Sequence, residues 1–356
     1  MASGANLPSL RIMLSPFPMR TYSKLLGLVI LLLTGLLIYL DWTQDRRSGP
    51  LLSDLRVLPI ESQGQPGNAG NVLGIETRLM PADYQSPERL QLKFSTYLDQ
   101  ARDAGLLSPL TVVVLPEHVG TGLFASGEKP EVQQARTLRD AMQWTALSNP
   151  WDYIRALFKN EANDRRTEAV LKLKAQHMAD DYQRIFGGLA KAYGVTLVAG
   201  SIVLPEPYLE GGWLHGGTGP LRQVSLSFAS DGTALGPLQY KHALSRYERR
   251  YSEAPEQQAD AVLQTPAGRV AVLLGCDGYT RQPPADADVL VVPGAHHEPT
   301  KACGAGIDMQ ASAYPVRMDV RTLGLPWNLV GSPRRPIRHV HGAPVRLHNL
   351  WLPARS

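Results

Sequence analysis

The sequence predicts a mixed α/β fold that is preceded by one N-terminal transmembrane helix. Three observations support this prediction. An uncharged, apolar run, "LLGLVILLLTGLLIYL", occupies positions 25–40. After it, apolar strand-like runs alternate with segments in which apolar residues recur at helical spacing. One adjacent pair of strands is joined by Asp231-Gly232, a hairpin turn sequence, so the sheet is not purely parallel.

The bulk composition excludes several classes of protein. The chain has 356 residues and a formal net charge of +4, and its charged residues are interspersed without basic blocks. We therefore expect no nucleic-acid partner. The two cysteines, Cys276 and Cys303, belong to no C-x-x-C pair, so the sequence predicts neither a metal site nor a cofactor.

The apolar run predicts a membrane anchor. It is a little shorter than the ~20 residues that a typical span needs, but Tyr39 and Trp42 suit the membrane interface. No small-residue cleavage site follows the run, so an uncleaved signal anchor at 25–42, after a tail at 1–24, is favoured over a cleaved signal peptide. The basic residues slightly favour an N-terminus inside, which would place a single-pass protein's body outside the cytoplasm.

The remainder of the chain divides into a linker and one domain. Residues 43–70 are rich in Gly, Pro, Gln and Asn and lack hydrophobic periodicity, which is typical of a linker. The domain is predicted at 71–356. Strands are expected at 71–79, 110–117, 195–205, 223–240, 269–275 and 287–294, and helices from Pro87 to Gly105 and from Arg165 to Tyr193.

A long connection, residues 125–165, interrupts this alternation. It contains Trp144 and Trp151. The segment is either a lid or substrate wall or, as is more common for long connections, a helical insertion on the surface.

Three predicted strand ends carry reactive side chains. They are Glu117, Lys241 with Glu248 seven residues later, and Cys276. Each has an ordinary interpretation alone: a solvated carboxylate, an edge lysine, and a small buried hydrophobe. Together they supply what acyl transfer requires. A thiol needs a base or a cation to become a nucleophilic thiolate, and a carboxylate can carry its proton to a leaving amine. A lysine ammonium and the backbone N–H of Asp277 could stabilise the oxyanion.

The local sequences around these residues resemble the nitrilase superfamily of carbon–nitrogen hydrolases. The matching segments are "LTVVVLPEHVGTGL", "DGTALGPLQYKHAL", "TPAGRVAVLLGCDGY" and "ADVLVVPGA", in the order that the family has. The resemblance extends from about residue 71 to residue 297. It implies an αββα sandwich of mixed sheets, often paired as a homodimer, that acts on a small amide or acyl substrate. It also implies Glu117 as general base and acid, Lys241 as oxyanion stabiliser, Cys276 as nucleophile and Glu248 as a second, positioning glutamate.

The sequence departs from the family pattern in two places. Asp277 and Gly278 follow Cys276 where many members have an aromatic residue, and nitrile-cleaving members typically have Cys-Trp-Glu, so the resemblance implies an amide rather than a nitrile substrate. After His297 the resemblance fades, and the closing Gly-x-Ser hairpin of the family is not recognisable.

Two alternatives to an amidase stay open at this level. An N-acyltransferase would use the same triad but pass the acyl group to an amine. A catalytically inert binding protein would keep only the fold. A disulfide between Cys276 and Cys303 would remove the nucleophile; we expect instead a free thiol at Cys276. His118 is expected to be a loop residue without a role, and the histidines at 339, 341 and 348 are expected to lie in a solvated tail.

Overall fold

The structure, a computed structural model, describes residues 19–46, 54–56, 59–157, 163–256, 261–295, 302–303, 316–336 and 345–354. The chain divides into two units, Met1–Asp45 and Arg46–Ser356. The first contains helix α1 (Met19–Gln44). Its segment Tyr22–Gln44 is long and apolar enough to cross a membrane, although a signal sequence near an N-terminus has the same properties.

The second unit, called the body here, contains the other helices and all the strands that the structure describes. The helices are α2 (Pro87–Asp103), α3 (Pro130–Gln134), α4 (Leu138–Ser148), α5 (Pro150–Leu157), α6 (Arg165–Tyr193) and α7 (Asp277–Thr280). The strands are β1 (Glu61–Gln63), β2 (Asn71–Thr77), β3 (Thr111–Val114), β4 (Thr196–Val198), β5 (Ile202–Pro205), β6 (Tyr208–Glu210), β7 (Trp213–His215), β8 (Leu221–Phe228), β9 (Ala234–Tyr240), β10 (Val262–Thr265), β11 (Gly268–Val272), β12 (Val289–Gly294), β13 (Arg317–Arg321) and β14 (Val345–Trp351).

The larger sheet is mixed, as the sequence predicts. Strands β2, β3 and β4 run parallel, whereas β8 is antiparallel to β4, β5 and β9. The β8–β9 hairpin turns at Asp231-Gly232, where the Ala229 N–H donates to the Thr233 carbonyl at 2.9 Å. This confirms the predicted hairpin and sets its register, which places Lys241 directly after β9.

The smaller sheet has the order β10-β11-β12-β13 and packs face to face on the larger one. The apolar layer between them includes Val72, Val112, Val114, Val270, Val272, Val291, Met318 and Val320. Helices α2 and α6 cover the other face of the larger sheet, where Tyr182 of α6 packs against Phe228 of β8. The two helices also contact each other through Phe94 and Phe186. On the outer face of the smaller sheet, Tyr279 of α7 and Cys303 pack with apolar residues such as Ala271 and Leu290. The body is therefore a mixed α/β fold with two packed sheets.

The C-terminal part of the chain completes the larger sheet, although its sequence carries little resemblance to the family. Strand β14 lies between β1, to which it is parallel, and β2, to which it is antiparallel. A buried polar network fixes this register: Asn71 Nδ2 donates to Asn349 Oδ1 at 2.6 Å, and Thr111 Oγ1 donates to Asn71 Oδ1 at 2.8 Å. Polar groups that are buried together and fully paired specify one alignment of the strands.

The expectation that His348 lies in a solvated tail is wrong. His348 is on β14, with ring nitrogens 3.2 Å from Glu61 Oε2 and 3.4 Å from Glu76 Oε2. The hydrogen bond and charge of Glu76 raise the pKa of His348 above its ordinary value, against the effect of burial. The histidines at 296, 297, 339 and 341 lie outside the described residues.

The connection at 125–165 is helical where the structure describes it. It forms α3, α4 and α5 and leads into α6. Trp144 and Trp151 lie on α4 and α5 and are 37% and 64% exposed. The surface-insertion alternative therefore agrees with the structure, while a role as a lid stays a prediction.

Candidate active site

Glu117 lies three residues beyond the end of β3 and is completely buried. Its Oε1 lies 2.8 Å from Lys241 Nζ and accepts a hydrogen bond from Gln223 Nε2 at 3.0 Å. Among the described residues, no donor contacts Glu117 Oε2. A buried carboxylate oxygen without a donor is rare, because the desolvation of the charge is then uncompensated. Within the described part of the chain, this oxygen is thus the part of the carboxylate that has no hydrogen bond.

Lys241 links two carboxylates that are distant in sequence. Its Nζ lies 2.8 Å from Glu117 Oε1 and 2.7 Å from Glu248 Oε1, and all three side chains are buried. Burial alone would lower the pKa of Lys241, but the charges and hydrogen bonds of the two glutamates outweigh burial and raise the pKa above its ordinary value. Lys241 is therefore a permanent cation at neutral pH.

Glu248 is the acceptor that orients this cation. Its Oε2 accepts the Ser245 N–H at 2.7 Å, and its Oε1 receives Lys241. Burial opposes its ionisation, but the charge of Lys241 and the hydrogen bond from His118 hold the pKa of Glu248 well below its ordinary value. Glu248 is thus ionised, and it fixes the ammonium beside Glu117.

His118 and Gln223 join the cluster, and sequence reasoning assigned a role to neither. The His118 ring lies 3.3 Å from Glu248 and 3.2 Å from Thr121 Oγ1, so it contacts the second glutamate rather than its neighbour Glu117. Its backbone is left-handed, with φ of 60°, a sterically unfavourable conformation that is characteristic of functional sites. The sequence offered one signal that Gln223 lies near the site, namely the predicted β8–β9 hairpin. The pairing of its two strands brings Gln223 beside Lys241, whose N–H donates to the Gln223 carbonyl.

Cys276 follows β11 at a sharp change of direction. Gly275 has φ of 52°, and a Cβ placed on it would lie 2.7 Å from Glu117 Oε2. Glycine adopts this conformation without strain, and its lack of a Cβ leaves room for the carboxylate. The glutamate oxygen without a donor therefore packs against the residue that precedes the predicted nucleophile. Cys276 itself is 8% exposed and is the N-cap residue, immediately before α7.

The expectation of a free thiol at Cys276 is wrong in this structure, because Cys276 forms a disulfide with Cys303. Their Cα atoms are 5.4 Å apart, a separation at which two cysteines can be bridged. Cys303 packs against the apolar cluster on the outer face of the smaller sheet, which brings it over the end of β11. In this form the sulfur of Cys276 is not available as a nucleophile.

The backbone N–H of Asp277, which was predicted to stabilise the oxyanion, is engaged elsewhere in this structure. The Asp277 N–H donates to the Leu274 carbonyl at 3.0 Å, so it already has an acceptor in the turn. The Asp277 carboxylate accepts the N–H groups of His242 and Ala243, both at 2.7 Å. Burial raises the pKa of Asp277 to about 6, although these two hydrogen bonds oppose the shift. Asp277 thus ties the Cys276 segment to the residues after Lys241.

The arrangement assembles an acid–base group, a cation and a sulfur at one edge of the two sheets. Glu117, Lys241 and Glu248 are within ion-pair distance, and Gly275 holds the Cys276 segment against Glu117. Such a cluster can transfer a proton and stabilise a developing negative charge when the sulfur is free. Among the described residues, no group of His, Cys, Asp and Glu has the arrangement of a metal site.

Comparison with known proteins gives structural similarity alone. No protein-family model matches the chain, and no curated protein sequence matches it. Among solved structures, an amidase from Nesterenkonia sp. is 14% identical, with a TM-score of 0.44 over 73% of this chain and 79% of that chain. A cysteine-to-serine mutant of the Nesterenkonia AN1 amidase from the nitrilase superfamily is 15% identical, with a TM-score of 0.46 over 81% of this chain and 93% of that chain.

A third similar structure is a glutamate-to-glutamine mutant of the amidase from Nesterenkonia sp. AN1, in which acrylamide has undergone Michael addition at the active-site cysteine. It is 14% identical, with a TM-score of 0.46 over 80% of this chain and 93% of that chain. Similarity at this level establishes neither a family nor an activity for this chain.

Proposed function

We propose that the protein is a thiol-dependent hydrolase of carbon–nitrogen bonds, of the nitrilase type, that acts on a small amide. The observation that supports this most is the position of Lys241. Its ammonium lies 2.8 Å from Glu117 and 2.7 Å from Glu248, with all three groups buried next to the Cys276 segment. Residues 117, 241 and 248 meet only in the folded chain, and perturbed pKa values in such a cluster are typical of active sites.

The reaction requires Cys276 in its reduced form. Glu117 takes the thiol proton, the thiolate attacks the amide carbonyl carbon, and the carbonyl oxygen becomes an oxyanion. Lys241 has three N–H donors, of which two face the glutamates, and the third is available to the oxyanion. Glu117 then protonates the leaving amine as the C–N bond breaks. Water that Glu117 deprotonates attacks the thioester, which releases the acid and restores the thiol.

The disulfide makes the oxidised protein an inactive form in this proposal. A dithiol reductant would attack the Cys276–Cys303 bond, pass through a mixed disulfide, and leave as its own disulfide. Two electrons move from the reductant to the protein, and both cysteines become thiols. The disulfide also supports a body outside the cytoplasm, since such bonds persist in oxidising compartments. The single-pass anchor, the homodimer and the small-molecule substrate belong to the same proposal.

The experiment compares two single-cysteine variants. We expect Cys303→Ser to hydrolyse members of a small amide panel without reductant, because no disulfide can form within the chain. The wild-type protein should need a phosphine reductant, and Cys276→Ser should be inactive in both conditions. Amine release gives the rate, and intact-mass spectrometry detects the thioester on Cys276. An acyltransferase would form the same thioester but would resolve it only when an amine acceptor is added.

A catalytically inert binding protein is the second candidate, and the disulfide is the observation that favours it. In that case the bond is structural. Folded Cys303→Ser would then hydrolyse no amide, and its Cys276 would react with iodoacetamide at neutral pH as slowly as an ordinary buried thiol. This outcome would reject the hydrolase.

A further inference from the structure

A cavity of about 330 Å³ in the body is lined by four arginines, and we call it the arginine cavity. The four are Arg139 of α4, Arg166 of α6, Arg250 and Arg334. Asp164 is the one acid among the described residues that line the cavity, so four arginines against one aspartate leave an excess of three positive charges. The volume lies in the range of about 300–1,000 Å³ that is typical of small-molecule sites. The cavity therefore has the size and the charge of a site for an anion.

Hydrogen bonds hold together the chain segments that form the wall of this cavity. The Arg139 N–H donates to the Pro333 carbonyl at 2.9 Å. The Arg250 guanidinium donates to Asp164 Oδ2 at 3.0 Å and to the Gly331 carbonyl at 3.1 Å. The Asp164 N–H in turn donates to the Arg250 carbonyl at 2.9 Å. The wall is therefore preformed, so a ligand would bind with a small cost in conformational entropy.

Three of the four guanidinium groups have no acidic partner in the described part of the chain. The fourth is paired with Asp164, whereas no described carboxylate lies within ion-pair distance of Arg139, Arg166 or Arg334. Arg166 has a neutral contact, with Gln143 Oε1 at 3.4 Å. Like charges that surround one cavity repel each other. An oxyanion between them would offset this repulsion and accept charge-assisted hydrogen bonds from their N–H groups.

We propose that the arginine cavity binds a phosphomonoester group. The planar guanidinium donates two parallel hydrogen bonds to phosphate and to carboxylate alike, so charge must distinguish the two. A phosphomonoester carries about −1.5 to −2 charges at neutral pH and three acceptor oxygens, whereas a carboxylate carries one charge. The excess of three positive charges therefore favours phosphate. Glu117, Lys241 and Cys276 are not among the described residues that line the cavity, so the site is separate from the proposed catalytic cluster.

The test is isothermal titration calorimetry of the full chain in an uncharged detergent, at constant ionic strength, with inorganic phosphate and with acetate. We expect saturable binding of phosphate. The double variant Arg139→Gln with Arg334→Gln should bind phosphate more weakly by about tenfold or more, because charge-assisted hydrogen bonds are lost. The matched control is Arg136→Gln with Arg335→Gln. It removes the same two charges from the same two segments, at exposed residues that do not line the cavity.

A loss of phosphate binding in the cavity variant but not in the control supports the proposal. Equal losses in the two double variants would overturn it, because general charge attraction would then explain the binding. Phosphate that fails to saturate, or acetate that binds as tightly, would also overturn it.

A phosphomonoester has two sources, a soluble metabolite and a lipid headgroup. The same titration with glycerol 3-phosphate and with micelles that contain phosphatidic acid distinguishes them, since the two probes carry the same headgroup. Tighter binding of glycerol 3-phosphate identifies a soluble ligand, and tighter binding of phosphatidic acid identifies a lipid. In both cases the cavity variant should lose the binding and the control should keep it.

Discussion

Within the described ranges, Lys93 and Lys241 are both buried next to carboxylates, and they differ in the number of their acidic partners. Lys93, on α2, lies 2.8 Å from Asp83, and neither side chain is exposed. Lys241 is equally buried but lies between Glu117 and Glu248. A buried charge is tolerated only when it is paired, and both lysines meet this requirement. In the part of the chain that the structure describes, Lys93 has one carboxylate partner, whereas two carboxylates share Lys241.

Under the proposed function, this difference separates a structural ion pair at Lys93 from a catalytic cluster at Lys241. Asp83 also accepts the Met80 N–H at 2.7 Å, so the Lys93 pair closes a local turn between residues ten apart. Glu117 and Lys241 meet only through the sheet, and Glu117 retains an oxygen directed at Gly275. We infer that the additional carboxylate at Lys241 serves proton transfer, since stability alone does not require it.

The largest expected effect is on turnover of the reduced protein. Glu117→Gln and Lys241→Met should each lower kcat/KM by about 10²–10⁴-fold, because they remove the proton carrier and the oxyanion donor. Lys93→Met should leave kcat unchanged per folded molecule. The measurement is amide hydrolysis normalised to the folded fraction from circular dichroism. Equal losses in the Lys93 and Lys241 variants would remove the distinction between the two lysines.

The second effect is on stability. Lys93→Met should lower the free energy of unfolding by about 3–5 kcal/mol, because it leaves Asp83 buried without its cation. Urea denaturation followed by circular dichroism measures this loss. The double variant Asp83→Asn with Lys93→Met should recover a large part of it, since no unpaired charge remains. A double variant as unstable as the single one would contradict a simple ion pair.

The pH dependence of the free energy of unfolding tests the raised pKa of Asp277, the residue that follows Cys276. The pKa of Asp277 is raised from 3.8 to about 6, so between these values the folded protein binds more protons than the unfolded chain. Stability should therefore fall as pH rises from about 4 to 6, by about 3 kcal/mol at most. Because other groups titrate in this range, the measurement is the difference from Asp277→Asn in urea denaturation. A difference that does not change with pH would refute the raised pKa.

The smallest expected effect is the difference in stability cost between alanine substitutions at two glycines with left-handed backbones. Gly105, just beyond α2, has φ of 71° and open space where a Cβ would be, so Gly105→Ala should cost only the conformational strain, about 1–2 kcal/mol. Gly275→Ala adds contact with the Glu117 carboxylate and should cost more. It should also lower turnover of the reduced protein, while Gly105→Ala should not. Thermal unfolding and amide hydrolysis give the two measurements.

The order of the elements could be predicted because it depends on local signals. Helix α6 has the predicted bounds, Arg165 to Tyr193, because apolar residues recur on one face and Gly194 ends it with φ of 64°. The Asp231-Gly232 turn determined the position of Lys241 after β9. The proximity of Glu117 and Lys241 was expected from their strand ends, and that of Glu248 from the family resemblance, while their catalytic roles stay predictions.

The remaining features depend on contacts between distant segments. The Cys276–Cys303 bond requires that Cys303 lie over the end of β11, and no local pattern specifies where a chain returns. The same reason applies to His118, whose partner is Glu248, and to β14, whose neighbours in the sheet come much earlier in the chain. Polar residues such as Asn349 carry little hydrophobic signal, although their buried pairing with Asn71 aligns the strand.

The position of β14 has a consequence for biosynthesis. This strand comes after every other described strand in the chain, but it lies inside the larger sheet, between β1 and β2. When the ribosome has translated residues up to 344, β1 has no neighbour and one edge of β2 is bare. The sheet is therefore completed only after translation of residues 345–351, later than domains that fold while they emerge. A frameshift or stop codon that removes this strand would expose two aggregation-prone edges.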